Sequence, residues 1–334
     1  MQAILQLAEH LNSPKKIVIT THQFPDADAL GSSLGLMHFL AGKGHACTVI
    51  SSTPFPENLA WMQGANDIVL YDKHKLDKTQ SILDASDMLF CLDFNIISRT
   101  KDLAAQLQNY AGTKVLIDHH EEPDTAYFNY GISSTAKSST CEMVYDFIVA
   151  LEGDRTAITA AIAECLYAGV MTDTGSFRFA STTADTHAMI ANLMRTGITS
   201  HVIHERIYDT FPEKRLRLQG FLLMERLVVM PEIGAAYMWL TEADSAAYNV
   251  QQGDTEGFVN LALGIKGIDF AAFVSSRDGD VRMSFRSKGN VDVNTFARKY
   301  FNGGGHFNAA GGRGEQNVES TVETLVASLK EWKK

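Results

Sequence analysis

The sequence predicts an α/β protein with an N-terminal parallel-sheet domain and a smaller α+β C-terminal domain. In the first half, short apolar runs rich in β-branched residues alternate with segments of helical apolar spacing. This alternation is typical of a parallel sheet that is covered by helices on both faces. Near residue 230 the alternation stops, and strands and helices follow in a different order. The length of 334 residues also agrees with about two domains.

The N-terminal domain is predicted over residues 1–208. Its first residues form an apolar pattern that Glu and His interrupt, which predicts an amphipathic helix and argues against a signal peptide. Four short apolar runs predict strands, and three segments with apolar residues at helical spacing predict helices. The strands are 16–21, 46–52, 88–93 and 114–118, and the helices are 29–42, 98–110 and 139–151.

A helical connector is expected over residues 209–229. Residues 183–227 have helical spacing almost throughout, and Pro212 stands where the first turn of a helix tolerates proline. The C-terminal domain is then predicted over residues 230–334. Its strands are 235–240, 270–275 and 281–285, and its helices are near 255–263, 293–300 and 320–332.

The composition excludes several classes of protein. Hydrophobic residues make up 45% of the chain and charged residues 20%, so there is enough apolar surface to fold. The net charge of −10 disfavours a binder of long duplex nucleic acid, which needs a broad basic face. There is no run of about 18 apolar residues, so we expect no membrane span. The four cysteines lie far apart, so we expect a reduced, cytoplasmic chain with neither a zinc cluster nor a disulfide framework.

Carboxylates and imidazoles follow the ends of several predicted elements. Because ligands bind at the carboxyl ends of the strands in such sheets, we expect these side chains to meet. An Asp after a strand is often a helix cap, and two adjacent histidines can be a structural pair. Capping explains single members but not the whole set. The set is His22, Asp26, Asp28, Asp93, His119 and Asp173.

Four carboxylates and two imidazoles predict a site for two divalent cations, because four negative charges would balance them. Oxygen-rich ligand sets with some imidazole suit Mn²⁺ or Mg²⁺ better than metals that prefer sulfur. His22 and Asp26 can face one ion while Asp28 faces the other, and Asp93 is the candidate bridge. Two such ions about 3.5–4 Å apart can clamp an in-line phosphoryl displacement. We expect Mn²⁺, with Mg²⁺ or Co²⁺ as alternatives.

The C-terminal domain carries a separate signal for an anion. Residues 282–288 (RMSFRSK) alternate basic and small polar side chains along a predicted strand. Residues 303–305 are three glycines, whose backbone can approach a ligand closely and whose N–H groups can hold a phosphate. A flexible turn is the alternative. Residues 277–313 hold seven Arg and Lys against three Asp, which supports an anion site within an acidic chain.

The ordered motifs resemble those of the DHH phosphoesterases. The segment 22–28 (HQFPDAD) resembles the first motif of that family, and 118–120 (DHH) resembles the signature that names it. The segment 172–177 (TDTGSF) resembles the fourth motif. The glycines with His306, followed by 309–311 (AAG), resemble the core of the DHH-associated C-terminal domain. The motifs span residues 22–312, and the length resembles the short bacterial enzymes that degrade nano-RNA and dephosphorylate 3′-phosphoadenosine 5′-phosphate.

The resemblance implies an active site in the cleft between the two domains and a role for each matching residue. His120 and Asp93 would be catalytic, with His120 stabilising charge on the reacting phosphate. After Asp93 the chain departs from its relatives, because Phe94 and Asn95 stand where small hydroxyl residues are common. The implied ligands are His22, Asp26 and Asp93 for one metal and Asp28, Asp93, His119 and Asp173 for the other. The implied substrate-binding residues are Ser284, Arg286, Gly303, Gly304, Gly305 and His306.

We therefore expect hydrolysis of very short oligoribonucleotides to mononucleotides and removal of the 3′-phosphate of 3′-phosphoadenosine 5′-phosphate. The alternatives are the same chemistry on pyrophosphate, polyphosphate, or linear or cyclic dinucleotides. A non-catalytic nucleotide-binding module is a distant alternative, because such a module would be expected to have lost ligands. The expected partners are short RNA or DNA oligonucleotides and small phosphonucleotides, without membrane or long duplex nucleic acid. A homodimer is left open.

Overall fold

The chain divides into two units, Met1–Thr210 and Phe211–Lys334. A computed structural model describes residues 1–251, 253–277, 279–314 and 317–332. Asp278, which contributes to the predicted charge balance of the C-terminal domain, lies outside the described residues. The N-terminal unit is α/β and the C-terminal unit is a smaller α+β unit, so the predicted fold class is confirmed.

A seven-stranded sheet in the order β1-β7-β6-β5-β2-β3-β4 forms the centre of the N-terminal unit. Every neighbouring pair is parallel. The four predicted strands occupy the middle of this sheet, and the three additional strands are short. The strands are β1 (Gln2–Ala3), β2 (Lys16–Thr21), β3 (Ala46–Ser51), β4 (Val69–Leu70), β5 (Met88–Leu92), β6 (Thr113–Asp118) and β7 (Tyr130–Ser133).

Helices cover this sheet, and α1 is buried along most of its length. Its small residues allow α5 to approach closely, since a Cβ atom at Gly31 would lie 2.3 Å from the carbonyl oxygen of Cys165. All four cysteines are free. The helices are α1 (Ala27–Gly42), α2 (Leu76–Asp84), α3 (Ala104–Gln108), α4 (Thr140–Glu152), α5 (Ala160–Asp173), α6 (Ala184–Met194) and α7 (Ser200–Tyr208).

Two predicted helices take a different form. The N-terminal segment begins as strand β1, because Gln2 and Ala3 pair with β7, and continues as a 3₁₀-helix over Ile4–Asn12. The predicted helix 98–110 is a 3₁₀-helix over Ile97–Leu103 followed by α3. It is interrupted at Lys101, whose φ of 53° is incompatible with a right-handed helix.

The C-terminal unit contains a six-stranded sheet in the order β12-β13-β11-β10-β9-β8. Only the β9–β10 pair is parallel among the described pairings. The strands are β8 (Val228–Met230), β9 (Ala235–Leu240), β10 (Phe270–Arg277), β11 (Asp280–Ser287), β12 (Gly304–His306) and β13 (Ala309–Arg313). The helices are α8 (Glu213–Phe221), α9 (Glu242–Ala247), α10 (Phe258–Leu263), α11 (Val293–Phe301) and α12 (Val318–Trp332).

The segment predicted as a connector contains α8, which continues as a π-helix over Leu222–Arg226. Pro212 is the capping residue that precedes α8, one position before the first turn. Within the described ranges, no helix combines the length and the apolar character that a bilayer crossing requires.

Candidate metal centre

Three neighbouring strands of the N-terminal sheet carry candidate ligands at their carboxyl ends. Strands β2, β5 and β6 lie side by side, and their register pairs Thr21 with Leu92 and Leu92 with Ile117. The residues that follow these positions are His22, Asp93 and Asp118, and they therefore lie level with one another. This is the sheet edge at which ligands bind in parallel α/β folds.

The first group of ligand atoms belongs to His22, Asp26 and Asp93, which lie within 4.8 Å of one another. The Nε2 atom of His22 is 3.2 Å from Oδ2 of Asp93, and its Nδ1 atom is 2.7 Å from the carbonyl oxygen of Gln23. A hydrogen bond from Nδ1 to that carbonyl fixes the ring and directs Nε2 into the group. Asp26 is also the cap of α1, because its Oδ1 accepts the N–H groups of residues 28 and 29.

The second group belongs to Asp28, His119 and Asp173, whose ligand atoms also lie within 4.8 Å of one another. Asp28 comes from the first turn of α1 and Asp173 from the end of α5. The Nε2 atom of His119 is 3.4 Å from Oδ2 of Asp173 and 3.4 Å from Oδ1 of Asp93. Asp93 therefore turns one oxygen toward His22 and the other toward His119, which is the geometry required of a bridging carboxylate.

The start of α4 holds both central carboxylates in place. The N–H groups of Thr140 and Cys141 donate to the two oxygens of Asp28 at 2.7 and 2.9 Å. The hydroxyl of Thr140 donates to Oδ1 of Asp93 at 3.0 Å. The positive end of the α4 dipole thus faces two buried carboxylates. Sequence analysis missed these residues, because a backbone donor leaves no signal in residue type.

His120 lies beside the two groups and is held by Asp118. Its Nδ1 atom is 2.7 Å from Oδ1 of Asp118, a carboxylate that is completely buried. The other oxygen of Asp118 has no hydrogen-bond partner among the described residues. Such a carboxylate–imidazole pair fixes the tautomer of the ring and directs Nε2 away from the carboxylate. Asp118 was part of the motif in the sequence but had not been assigned a role.

Burial and crowding shift the ionisation of these groups. Burial raises the pKa of Asp28 to about 7, and the charge of Asp93 adds to this effect. Burial and the charge of Asp28 also raise the pKa of Asp173 well above its usual range. Burial alone would lower the pKa of His119, but Asp93 and Asp173 raise it to about 10. The site thus concentrates negative charge away from water, and its oxygen and imidazole donors fit two divalent cations.

Arg99 is a further residue that sequence analysis missed. It lies in the 3₁₀-helix after β5, and its charge acts on both His22 and His120. Burial lowers the pKa of His120, and Arg99 contributes to that lowering against the opposing effect of Asp118. Arg99 thus brings positive charge to the edge of an acidic cluster.

The departure at Phe94 and Asn95 does not reach the ligands. The Phe94 side chain is completely buried in the core under the sheet, where it packs with Leu103 and Phe128. The Asn95 side chain donates to the carbonyl oxygen of Glu121 at 2.6 Å. Phe94 and Asn95 therefore stabilise the loops around the site.

In the C-terminal unit, the sheet register brings three predicted substrate residues to one face. Ser284 and Arg286 alternate with buried residues along β11. Arg286 pairs with Ala309 on β13, and Ala309 pairs with His306 on β12. Directly paired residues in antiparallel strands extend to the same face, with neighbouring strands about 4.8 Å apart. Arg286 and His306 are thus separated by roughly two strand spacings on one surface.

The glycine run has a different local function from the predicted phosphate cradle. The N–H of Gly303 donates to the carbonyl oxygen of Ala297 at 3.1 Å, and the N–H of Gly305 donates to Oδ1 of Asn294 at 3.1 Å. These two N–H groups are therefore already engaged within the C-terminal unit, and phosphate binding by the glycine run stays a prediction. A Cβ atom at Gly303 would lie 2.0 Å from the carbonyl oxygen of Gly311, so glycine is required for β12 to approach β13.

Comparisons with known proteins agree with this architecture. Residues 16–170 match the DHH family, N-terminal domain, and residues 234–334 match the DHHA1 domain. The chain is 29% identical over 297 residues to the bifunctional oligoribonuclease and PAP phosphatase NrnA of Bacillus subtilis (strain 168), covering 88% of each chain.

Two crystal structures share the fold. An exopolyphosphatase-related protein from Bacteroides fragilis has 35% sequence identity and a TM-score of 0.92, covering 99% of this chain and 96% of that one. RecJ from Thermus thermophilus, in complex with Mn²⁺, has 13% identity and a TM-score of 0.56, covering 99% of this chain and 54% of RecJ. The sequence motifs, the ligand cluster at the sheet edge and these matches together show that the chain belongs to the DHH family and carries a DHHA1 domain in its C-terminal unit.

Proposed function

We propose that this chain is a two-metal phosphoesterase. It hydrolyses very short oligoribonucleotides to mononucleotides and removes the 3′-phosphate of 3′-phosphoadenosine 5′-phosphate. The observation that carries the proposal is the pair of ligand groups on either side of Asp93. The name of the Bacillus subtilis relative combines an oligoribonuclease and a PAP phosphatase activity, and this chain covers 88% of that protein.

In this proposal, His22, Asp26 and Asp93 hold one cation, and Asp28, Asp93, His119 and Asp173 hold the other. Bound divalent cations would neutralise phosphate charge and supply a hydroxide nucleophile at neutral pH. We expect Mn²⁺, with Mg²⁺ or Co²⁺ as alternatives, because the donors are carboxylate oxygens and imidazoles without sulfur. The Mn²⁺ of the RecJ structure belongs to that protein, which shares only its fold with this chain.

The protein itself positions and stabilises the reacting group. The hydrogen bond between His120 and Asp118 leaves Nε2 of the ring directed away from the carboxylate. We assign that nitrogen to an oxygen of the reacting phosphate. The negative charge of the phosphate favours the doubly protonated ring, in which Nδ1–H donates to Asp118 and Nε2–H donates to the phosphate and stabilises the charge that develops. Arg99 supports the same anion through its positive charge. Positioning of this kind is the main contribution a protein makes to phosphoryl transfer.

We assign substrate binding to the C-terminal unit. Arg286 would bind a terminal phosphate and His306 a phosphate or sugar oxygen, and Ser284 lies on the same strand as Arg286. The short basic region argues against long strands, which need an extended basic groove with stacking aromatics. In this proposal residues 1–208 form the catalytic domain, residues 209–229 form a connector, and residues 230–334 form the substrate-binding domain. In this proposal the protein acts in the cytoplasm, and a homodimer is left open.

Pyrophosphate, polyphosphate and cyclic dinucleotides are substrates for the same metal chemistry, and the Bacteroides fragilis protein is described as exopolyphosphatase-related. One experiment separates these classes. The purified full chain with Mn²⁺ is offered RNA of two, five and twenty-four nucleotides, 3′-phosphoadenosine 5′-phosphate, pyrophosphate, polyphosphate and cyclic di-AMP in parallel. Asp93→Asn is the matched control, since it keeps the shape of the bridging residue without its charge.

The proposal predicts rapid turnover of the two- and five-nucleotide RNA and of 3′-phosphoadenosine 5′-phosphate. The twenty-four-nucleotide RNA should be much slower, and the Asp93→Asn variant should be inactive on every substrate. Faster hydrolysis of pyrophosphate or polyphosphate than of the dinucleotide would contradict the substrate assignment. Equal activity of the variant and the wild type would contradict the metal site.

A further inference from the structure

A second cavity lies in the N-terminal unit, at the far ends of the helices that hold the metal centre. It has a volume of about 950 Å³ and is lined by the end of α4, the start of α5 and the end of α6. Helix α5 begins at this cavity and, over its 14 residues, extends roughly 20 Å to its end at Asp173. Helix α4 begins at the metal centre and ends at the cavity. The two sites are therefore distinct.

Two arginines from different elements converge in this cavity. Nη1 of Arg155, in the loop before α5, donates to Oδ1 of Asn192 at 3.2 Å. Nη1 of Arg195, which caps the end of α6, donates to the same oxygen at 2.6 Å. Neither guanidinium forms an ion pair with a carboxylate of the described residues. One neutral oxygen thus holds two positive charges near each other, an arrangement that an anion would stabilise.

Asn192 also has a buried partner. The amide nitrogen of Asn192 donates to the hydroxyl of Tyr145 at 3.0 Å, and Tyr145 is only 6% exposed. A tyrosine hydroxyl can donate or accept, so the two arginine donors are what turn the carbonyl oxygen of Asn192 toward them. Asn192 thus links two exposed guanidiniums to the core of the unit.

The remaining walls suit an organic ligand. Val149 and Ile158 supply apolar surface, and the N-terminal end of α5 adds a positive dipole. The one carboxylate in the lining, Asp154, accepts hydrogen bonds from the N–H and the hydroxyl of Thr156 at 2.8 and 2.7 Å. These two hydrogen bonds hold the Asp154 carboxylate within its own loop. The volume lies within the range of small-molecule sites, about 300–1,000 Å³.

We propose that this cavity binds a nucleoside monophosphate, with its phosphate on Arg155 and Arg195 and its apolar part against Val149 and Ile158. A phosphate monoester carries close to two negative charges at neutral pH and therefore matches two guanidiniums, whereas a carboxylate matches only one. The inference concerns binding at a site remote from the metals, and it does not depend on the proposed hydrolysis.

The test is calorimetric titration of the full chain with AMP and with adenosine, in the presence of EDTA so that no hydrolysis occurs. Three variants test the proposed site. Asn192→Asp places a carboxylate between the two arginines without changing shape, and Arg155→Gln with Arg195→Gln removes both charges. Arg217→Gln is the matched control, because it removes one exposed arginine of the C-terminal unit that pairs with Glu213.

We expect the wild type and Arg217→Gln to bind AMP alike and adenosine at least about tenfold more weakly. Asn192→Asp and the double variant should each weaken AMP binding by about tenfold or more. Equal binding of adenosine and AMP, or AMP binding that survives in both Asn192→Asp and the double variant, would overturn the proposal.

Discussion

The contact between His120 and Asp118 allows a quantitative test of how the catalytic domain stabilises charge on the reacting phosphate. Asp118 is fully buried and accepts a hydrogen bond from His120 at 2.7 Å. Asp118→Asn keeps the size of the side chain and replaces a charged acceptor by a neutral amide. A hydrogen bond to a charged group contributes about 1.5–3 kcal/mol and a neutral one about 1 kcal/mol. The difference, about 0.5–2 kcal/mol, corresponds to a loss of roughly twofold to thirtyfold in kcat.

His120→Ala removes the stabilising group itself, so its loss should be larger, about 10²–10³-fold in kcat. The double variant should be no slower than His120→Ala, because Asp118 acts through the imidazole and has nothing to position once the ring is gone. The assay is steady-state hydrolysis of a dinucleotide at saturating Mn²⁺, together with calorimetric titration of Mn²⁺ into each metal-free variant. Both single variants should bind the same number of ions as the wild type.

Two results would refute this reasoning. If the effects of the two single substitutions multiply in the double variant, Asp118 acts on its own and not through His120. If either variant loses a bound Mn²⁺, the residue is a metal ligand, a role that the proximity of Asp93, Asp118 and His120 would also allow.

Substitutions and titrations also test the metal ligands, the hydrogen bond that holds one of them, and the substrate-binding residues. Asp93→Ala should abolish turnover and reduce the bound Mn²⁺ from two ions to one or none, as titration would show. Metal binding should release protons, because His119, with a pKa of about 10, and Asp28, with a pKa of about 7, must both lose their protons to become ligands. Mn²⁺ affinity should therefore rise by at least about tenfold per pH unit between pH 8 and 9 and more steeply below pH 7, and the raised pKa of Asp173 adds to this dependence; titrations in several buffers would measure it. Thr140→Val should slow turnover about tenfold through loss of the hydrogen bond to Asp93, and Thr140→Ser should restore it. Arg286→Ala should raise KM for a dinucleotide about tenfold with little change in kcat, since a phosphate contact made before and during reaction is uniform binding; a fall in kcat alone would contradict that role.

The sequence was sufficient for the central strands and for the side chains at their ends, because both depend on residue type. Apolar β-branched runs predict β2, β3, β5 and β6 to within a residue at their ends. Carboxylates and imidazoles after those strands are equally visible, and parallel topology brings them to one edge. The short strands β1, β4 and β7 were missed, since two to four residues carry too little periodicity to be recognised.

Contacts made by the backbone or across long separations could not be predicted. The N–H groups of Thr140 and Cys141 bind Asp28, which is more than a hundred residues away. The glycines at 303 and 305 are conspicuous in the sequence, but only the structure shows that their N–H groups are used within the C-terminal unit. The arginines of the second cavity give no motif, because their convergence depends on where α4 and α6 end.

The central claim, that two cations share Asp93, is tested most directly by anomalous diffraction from crystals of the full chain grown with Mn²⁺. The account predicts two anomalous peaks about 3.5–4 Å apart. One should contact His22 and Asp26, the other Asp28, His119 and Asp173, and both should contact Asp93. A single peak, or a peak held by Asp118 and His120, would contradict the account.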